Sequence, residues 1–308
     1  MAKSVLCIGA ALIDELFFCE NAIVRSSSNP AQCSISIGGV ISNIVQHLAL
    51  LDVKTSLITA LGNDNDADFI KKNLDKLGIE LNESISVDEP TGKYVSISNT
   101  NGELYVAACH DISSKYITVP FLKTKEDYIK KFDLIVIDTN LETNTIQWLI
   151  DFSKINNKKL IIEPVSVTKA SKLSNLILDG VFMLTPNEEE LVSIANGDSG
   201  NFIQLVENLL KRGVEKVWVR KGKNGSEVHT LKKTINLAVP RIQIIDSTGA
   251  GDAALSGWIF GYINDENEAT SLELGHTLAL EILKIKGTID YRINKENLYK
   301  IKSTYYNE

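Results

Sequence analysis

Residues that staple, ligate or break a chain are scarce here, and each scarcity removes a class of function. Four cysteines in 308 residues, Cys7, Cys19, Cys33 and Cys109, show no CxxC or other metal spacing. A chain of this length is stable without disulfides, so they read as reduced, cytoplasmic thiols. The four histidines, His47, His110, His229 and His276, are scattered as well. With neither H-E-x-x-H nor G-x-S-x-G present, zinc-site and serine-hydrolase chemistry lose their sequence support. No apolar run approaches the roughly 20 residues needed to cross a bilayer. Positive charge is not in excess either: a net charge of −7 supplies no field for nucleic acid or an anionic membrane surface. An anionic ligand must then be held by local amides, lysines or a metal. Six prolines beside 44% hydrophobic residues exclude a disordered chain. Two nucleotide fingerprints are missing, since nothing matches G-x-x-x-x-G-K-[ST] and the turn Gly9-Ala10-Ala11 does not complete G-x-G-x-x-G. Val5 to Ile13 behind Lys3 has the outline of a signal-peptide core, but Asp14 and Glu15 follow where small cleavage-site residues belong, so a buried first strand is expected.

What is present alternates. Short β-branched runs at Ser4 to Ile8, Ser56 to Ala60, Asp133 to Asp138, Leu160 to Glu163, Val181 to Leu184 and Val217 to Arg220 are mostly apolar throughout, as strands covered on both faces must be. Helical patterns lie between them: Val40, Ile44, Leu48 and Leu51, then Phe69 to Leu77, Thr145 to Ile155, Phe202 to Leu210 and Glu266 to Lys286. This order predicts an α/β fold with a central, mostly parallel sheet flanked by helices. Leu16 to Ile37, and Gly92 to Cys109 with an Asn101-Gly102 turn, instead read as antiparallel ribbons. Without repeats or a linker, the chain is expected to form one domain over 1–308, with a small β lid inserted as segments at about 15–37 and 92–110.

The chemistry concentrates in Asp246-Ser247-Thr248-Gly249-Ala250-Gly251-Asp252, directly before an apolar run. Gly249 and Gly251 let backbone N–H groups converge on an anion at a helix start, and Asp252 at that rim can accept the proton of an attacking hydroxyl. A plain helix N-terminus with Asp in its first turn reads equally well. Gly38-Gly39 before a helix carrying Asn43, with Asp14 at the end of the first strand, suits sugar hydroxyls; a lid-to-helix turn with a surface Asn and a turn Asp is the alternative. Asn187 and Glu190, three apart on one helical face, can organise water around a metal-bound nucleotide, or form a capping box, or both. The stretch Arg220-Lys221-Gly222-Lys223-Asn224-Gly225 ends a strand in a turn that either passes beneath a nucleotide or is an ordinary β-turn.

Together these segments, in this order, resemble the ribokinase-like carbohydrate kinases, the PfkB family. The resemblance covers the whole chain and implies a ribokinase-like fold, ATP as phosphoryl donor, Mg²⁺ and an activating monovalent cation, K⁺ in this reading. It implies Asp252 as catalytic base, with Gly249, Ala250 and Gly251 as the anion hole. Asp14, Gly38, Gly39 and Asn43 would hold the sugar. Asn187, Lys221, Gly222, Gly225, Thr248 and Gly251 would serve the nucleotide, and Glu190 the magnesium. Asp246 and Thr248 would meet the Lys284 to Thr288 segment around the monovalent cation. A narrower likeness joins Glu163-Pro164-Val165-Ser166, Lys169-Ala170, Asp138-Thr139-Asn140-Leu141 and Thr91-Gly92-Lys93-Tyr94 to the pseudouridine kinases within that family. It departs from the family's usual residues at Glu163, where Asp is common, and at Ser247, where the hydroxyl of the usual Thr survives. It implies 5′ phosphorylation of pseudouridine, with Thr91, Lys93, Asn140 and Lys169 around the substrate. Other nucleosides or sugars, such as adenosine, ribose or fructose, and a catalytically silent sugar-binding regulator, are the competing readings. Expected partners are a small nucleoside or sugar and ATP, not nucleic acid or membrane; a homodimer through the lid is one assembly this allows.

Overall fold

The structure, a computed structural model, describes residues 3–196 and 201–306. Its strands, in chain order, are β1 (Val5–Ile8), β2 (Leu12–Cys19), β3 (Ala31–Gly38), β4 (Thr55–Ile58), β5 (Ala60–Leu61), β6 (Ile85–Ser86), β7 (Lys93–Ser98), β8 (Leu104–His110), β9 (Leu134–Asp138), β10 (Lys159–Glu163), β11 (Met183–Leu184), β12 (Lys216–Arg220), β13 (Ser226–His229) and β14 (Thr234–Leu237). The main sheet runs β14-β13-β12-β11-β10-β9-β1-β4, parallel from β12 to β4. Successive side chains of a strand face opposite sides, and the core divides accordingly. Val5, Cys7, Leu134 and Val136 pack with the helices Val40–Leu50, Ala250–Ile263 and Glu268–Ile282, whereas Leu6, Ile8, Ile135 and Ile137 pack with Thr143–Ile155 and Phe202–Lys211. The parallel part of the sheet therefore has no wet face, which is why its strands read as mostly apolar runs.

Three differences from the sequence reading have physical causes. The run expected as one strand over Ser56 to Ala60 divides, because β5 leaves the main sheet to pair with β6. The hairpin β13–β14 closes the sheet in antiparallel fashion; its alternating Ser226-Glu227-Val228-His229 gives no continuous apolar run and does not read as a strand from sequence. The C-terminal helix Lys295–Tyr305, opened by an Asn294/Asn297 capping box, was not anticipated because its apolar residues are few.

The lid is one sheet, β3-β2-β7-β8, in which the two antiparallel hairpins join through parallel pairing of β2 with β7. This corrects the position of Asp14. Strand β1 stops at Ile8, the chain turns through Gly9-Ala10-Ala11 where a Cβ on Gly9 would lie 2.5 Å from Ile41, and Asp14 is the third residue of the lid strand β2. Asp14 thus reaches the cleft from the lid, in register with Ser36 and Tyr94.

Candidate active site

The carboxyl-terminal edge of the parallel strands faces the lid, and the start of the Ala250–Ile263 helix lies there. Asp246 Oδ1 accepts from Thr248 N at 2.9 Å and from its hydroxyl at 2.7 Å, which folds the approach to the helix. Gly249, the N-cap, stands at φ +75° and packs against Thr288, where a Cβ would lie 2.8 Å from Thr288 Cβ. Having no side chain, this cap does not consume the first-turn amides, which leaves them for an anion. Asp252 is buried in that first turn. Its Oδ2 accepts from Asn43 Nδ2 at 2.8 Å, and Asn43 Oδ1 in turn accepts from Thr288 Oγ1 at 3.2 Å. Burial pushes the Asp252 carboxyl up to about 7, with Glu163 and Asp138 adding to it and Asn43 and Arg220 opposing. A carboxylate that titrates near neutrality is well matched to general-base work.

Asp14, Gly38, Gly39 and Asn43 are brought together where the lid meets the Val40–Leu50 helix. A Cβ on Gly38 would collide with the Asp14 carboxylate, and Gly39, at φ +98°, would place one 2.5 Å from Ala10 O. Burial raises Asp14 to about 6. Tyr94, given no role of its own from the sequence, stands beside Asp14 across the β2–β7 pairing and feels its charge. Thr91 and Lys93 are engaged elsewhere. Thr91 donates its hydroxyl to Asp64 at 2.6 Å and accepts from Gly62 N at 3.0 Å, while Lys93 pairs with Glu15 at 2.5 Å and Asp66 at 3.0 Å on the opposite face of the lid.

Asn140 and Lys169 form a second polar cluster. Asn140 donates through its backbone N and Nδ2 to the two oxygens of Asp138, at 2.9 and 2.8 Å, and Lys169 Nζ donates to Asn140 Oδ1. Asp138, fully buried at the end of β9, is pushed up to about 7 by that burial. Cys109, opposite Tyr94 in the lid, senses both Lys169 and Asp14, which places this cluster and the Asp14 side around one space.

Asn187 and Glu190 do form the capping box, with reciprocal bonds of 2.8 and 2.9 Å. Arg220 N donates to Pro186 O at 2.9 Å, so the end of β12 lies beside that cap. Lys221 pairs with Glu227 at 2.5 Å and lies over the Phe202 ring, and the turn closes through Gly222 at φ +52° and Gly225 at φ +83°. Arg220 itself, unassigned from sequence, bonds Glu163 at 2.6 Å; the only available signal was a strand-terminal cation whose partner is 57 residues away. Among the described residues no group of three or more His, Cys, Asp or Glu is arranged to hold a metal. The single carboxylate of Glu190 fits an ion that keeps its waters and phosphate oxygens, as Mg²⁺ does, rather than a protein-caged one. Asp246 Oδ2 accepts from Gly287 N at 3.2 Å, so the 246–248 turn and the Lys284 to Thr288 segment do meet. Burial works against that carboxylate's charge, but the bonds from Thr248 and Gly287 hold it below the usual range.

A model of the pfkB family of carbohydrate kinases matches residues 2–294. The pseudouridine kinase of Escherichia coli (strain K12) is 27% identical over 266 residues, covering 83% of this chain and 84% of that protein. A carbohydrate kinase from Agrobacterium tumefaciens superposes with a TM-score of 0.87 at 23% identity, covering 98% of both chains. Arabidopsis thaliana ribokinase, solved with ribose and ATP, gives 0.86 at 21% identity, over 98% of this chain and 99% of that one. The last two establish the fold.

Proposed function

Because this chain belongs to the pfkB family of carbohydrate kinases, and so is a phosphotransferase with an alcohol acceptor, we propose that it transfers the γ-phosphoryl of ATP to the 5′ hydroxyl of pseudouridine. The observation that carries the kinase reading is the Asn43–Asp252 pair at an uncapped helix start: a proton acceptor and an anion-binding amide cluster share one turn. Asp14 and the backbone at Gly38-Gly39 hold the ribose, and Asp252 takes the proton of the hydroxyl as it attacks. The Gly249 to Gly251 amides receive charge on the transferred group, and the lid excludes water that would otherwise compete as acceptor. Glu190, beside Asn187, would hold the Mg²⁺ of the nucleotide, which would supply further charge neutralisation. Lys221, Gly222 and Gly225 line the nucleotide's approach, and Asp246 and Thr248 would hold a monovalent cation, K⁺. The outer face of the lid, where Ile35 and Val106 are exposed, fits a second copy of the chain.

Preference for pseudouridine is supported by the pseudouridine kinase relative and by the Asp138–Asn140–Lys169 cluster. Pseudouridine carries an extra ring N–H that uridine lacks. Asn140 Oδ1, already oriented by Lys169, keeps a second lone pair for it. A buried acceptor left unpaired by the wrong substrate discriminates by orders of magnitude, unlike a pocket that senses only shape. Turnover of ATP with pseudouridine, uridine, adenosine, ribose and fructose tests this directly. A higher kcat/KM for uridine or any other acceptor than for pseudouridine would overturn the acceptor and leave the kinase assignment intact.

A further inference from the structure

Arg220 closes β12 with its guanidinium held in two directions. Nη2 donates to Glu163 Oε1 at 2.6 Å, and that carboxylate is itself pinned, accepting from Thr185 Oγ1 at 2.6 Å through its other oxygen. Oε1 also accepts from Val165 N at 3.4 Å. Val165 stands at φ +66°, a conformation a β-branched residue adopts only when its surroundings impose it. Strain is therefore concentrated in the turn that aims Arg220's partner. The other arm of the guanidinium points at the helix start, because a Cβ on Gly251 would lie 2.7 Å from Arg220 Nη1. Gly249 is explained by its positive φ, but Gly251 is not among the residues with one. What Gly251 provides is room for a guanidinium against the first helical turn.

Electrostatics at this spot favour a role beyond ion pairing. Arg220 feels the charges of Glu163, Glu190 and Asp252 together, so several carboxylates surround one cation. The helix terminus contributes only about half a unit of positive charge. A triphosphate entering among those carboxylates needs a full cation at the place where its terminal group sits. Arginine suits it, since it stays protonated and offers a planar fork to phosphate oxygens.

Building on the phosphotransfer reading, we propose that Arg220 is a catalytic residue whose Nη1 donates to an oxygen of the transferring phosphoryl group while Glu163 fixes its direction. The acceptor oxygen bonds to the γ-phosphorus as the bond from that phosphorus to the β–γ bridging oxygen breaks. The hydroxyl proton goes to Asp252 and the electron pair leaves on ADP. Arg220 keeps its proton throughout and balances charge spread over the equatorial oxygens.

The test uses Arg220→Met, Glu163→Gln and the double variant, with kcat on the acceptor panel and calorimetric binding of ATP and ADP. Arg220→Met is expected to lower kcat on the order of 10²-fold, the typical effect of removing one charge-stabilising donor. ATP affinity should fall while ADP affinity stays within about twofold, because only ATP carries the group that Arg220 contacts. The double variant should remain as slow as Arg220→Met, and free guanidinium should restore part of the rate. If Arg220 merely neutralises Glu163, the double variant recovers to within roughly threefold of the parent, well inside the loss a missing donor causes, and the two nucleotide affinities move together; that overturns the assignment. A parent protein that binds both nucleotides yet phosphorylates no member of the panel defeats the acceptor reading alone, since the ATP-to-ADP affinity ratio still decides Arg220.

Discussion

Two buried aspartates, Asp252 and Asp138, are both pushed up to about 7 by burial, and each is held by an asparagine amide. They differ in what is left over. Asn43 takes one oxygen of Asp252, whereas Asn140 takes both oxygens of Asp138 through its backbone and side-chain N–H groups. Asp252 keeps an oxygen for an incoming proton; Asp138 is spent on holding Asn140. An elevated pKa marks a functional region, but the unclaimed oxygen is what suits Asp252 to the base role proposed for it.

Removing the carboxylates one at a time should break the resemblance between them. Asp252→Asn keeps shape but cannot take a proton, and kcat is expected to fall on the order of 10²- to 10⁴-fold, with ATP affinity nearly unchanged by calorimetry. A variant retaining half of the parental kcat would show that the base lies elsewhere. Asp138→Asn should instead act through Asn140, lowering kcat/KM for pseudouridine by roughly 10- to 100-fold through KM, the scale of one lost charge-assisted hydrogen bond. If kcat on every acceptor falls as far as in Asp252→Asn, the two residues are not distinct in role.

The pH dependence sharpens the same contrast. Asp252 must be ionised to act, so kcat/KM should rise about tenfold per pH unit below its value near 7 and level off above it. Because the Asn43 bond favours the ionised form, Asn43→Ala should move that midpoint upward, and a midpoint that stays or falls would contradict the pairing. The sign reverses for stability. A carboxyl raised in the folded state holds its proton longer than the unfolded chain does, so its ionisation costs stability as pH rises from about 4 towards 7. Asp252→Asn should accordingly show a higher Tm than the parent above pH 7 while being far slower.

The smallest effect expected is that of K⁺. A cation seated against the Asp246–Thr248 turn would organise the Gly249 amides and leave Asp138 untouched, giving a several-fold rise in kcat with KM for the acceptor steady. Equal rates in K⁺ and a bulky organic cation at matched ionic strength would remove that site.

Patterns that act within a few residues were legible in the sequence. The apolar runs of β1, β9 and β10 announced a sheet covered on both faces, and the hairpin turn at Asn101-Gly102 announced the second half of the lid. Gly249 to Asp252 announced a helix start with glycine at its cap, because glycine freedom and helix polarity are local properties. Pairing across long separations was decided by tertiary structure alone. Asn43 meets Asp252 from 209 residues away, and the sequence suggested a sugar contact for an amide whose Nδ2 packing turns onto that carboxylate. Thr91 and Lys93 stood in one motif, and the fold places the Thr91 hydroxyl on Asp64 and the Lys93 ammonium on Glu15 and Asp66. Asp14 was expected at the end of β1 and came from the lid instead, because where a strand stops depends on its neighbours as much as on its own residues. Glu163 stood out in the sequence only as a departure from the usual Asp and Arg220 only as part of a turn; which donor stays open, and towards what, exists only once the sheet has brought β10 and β12 to the same edge.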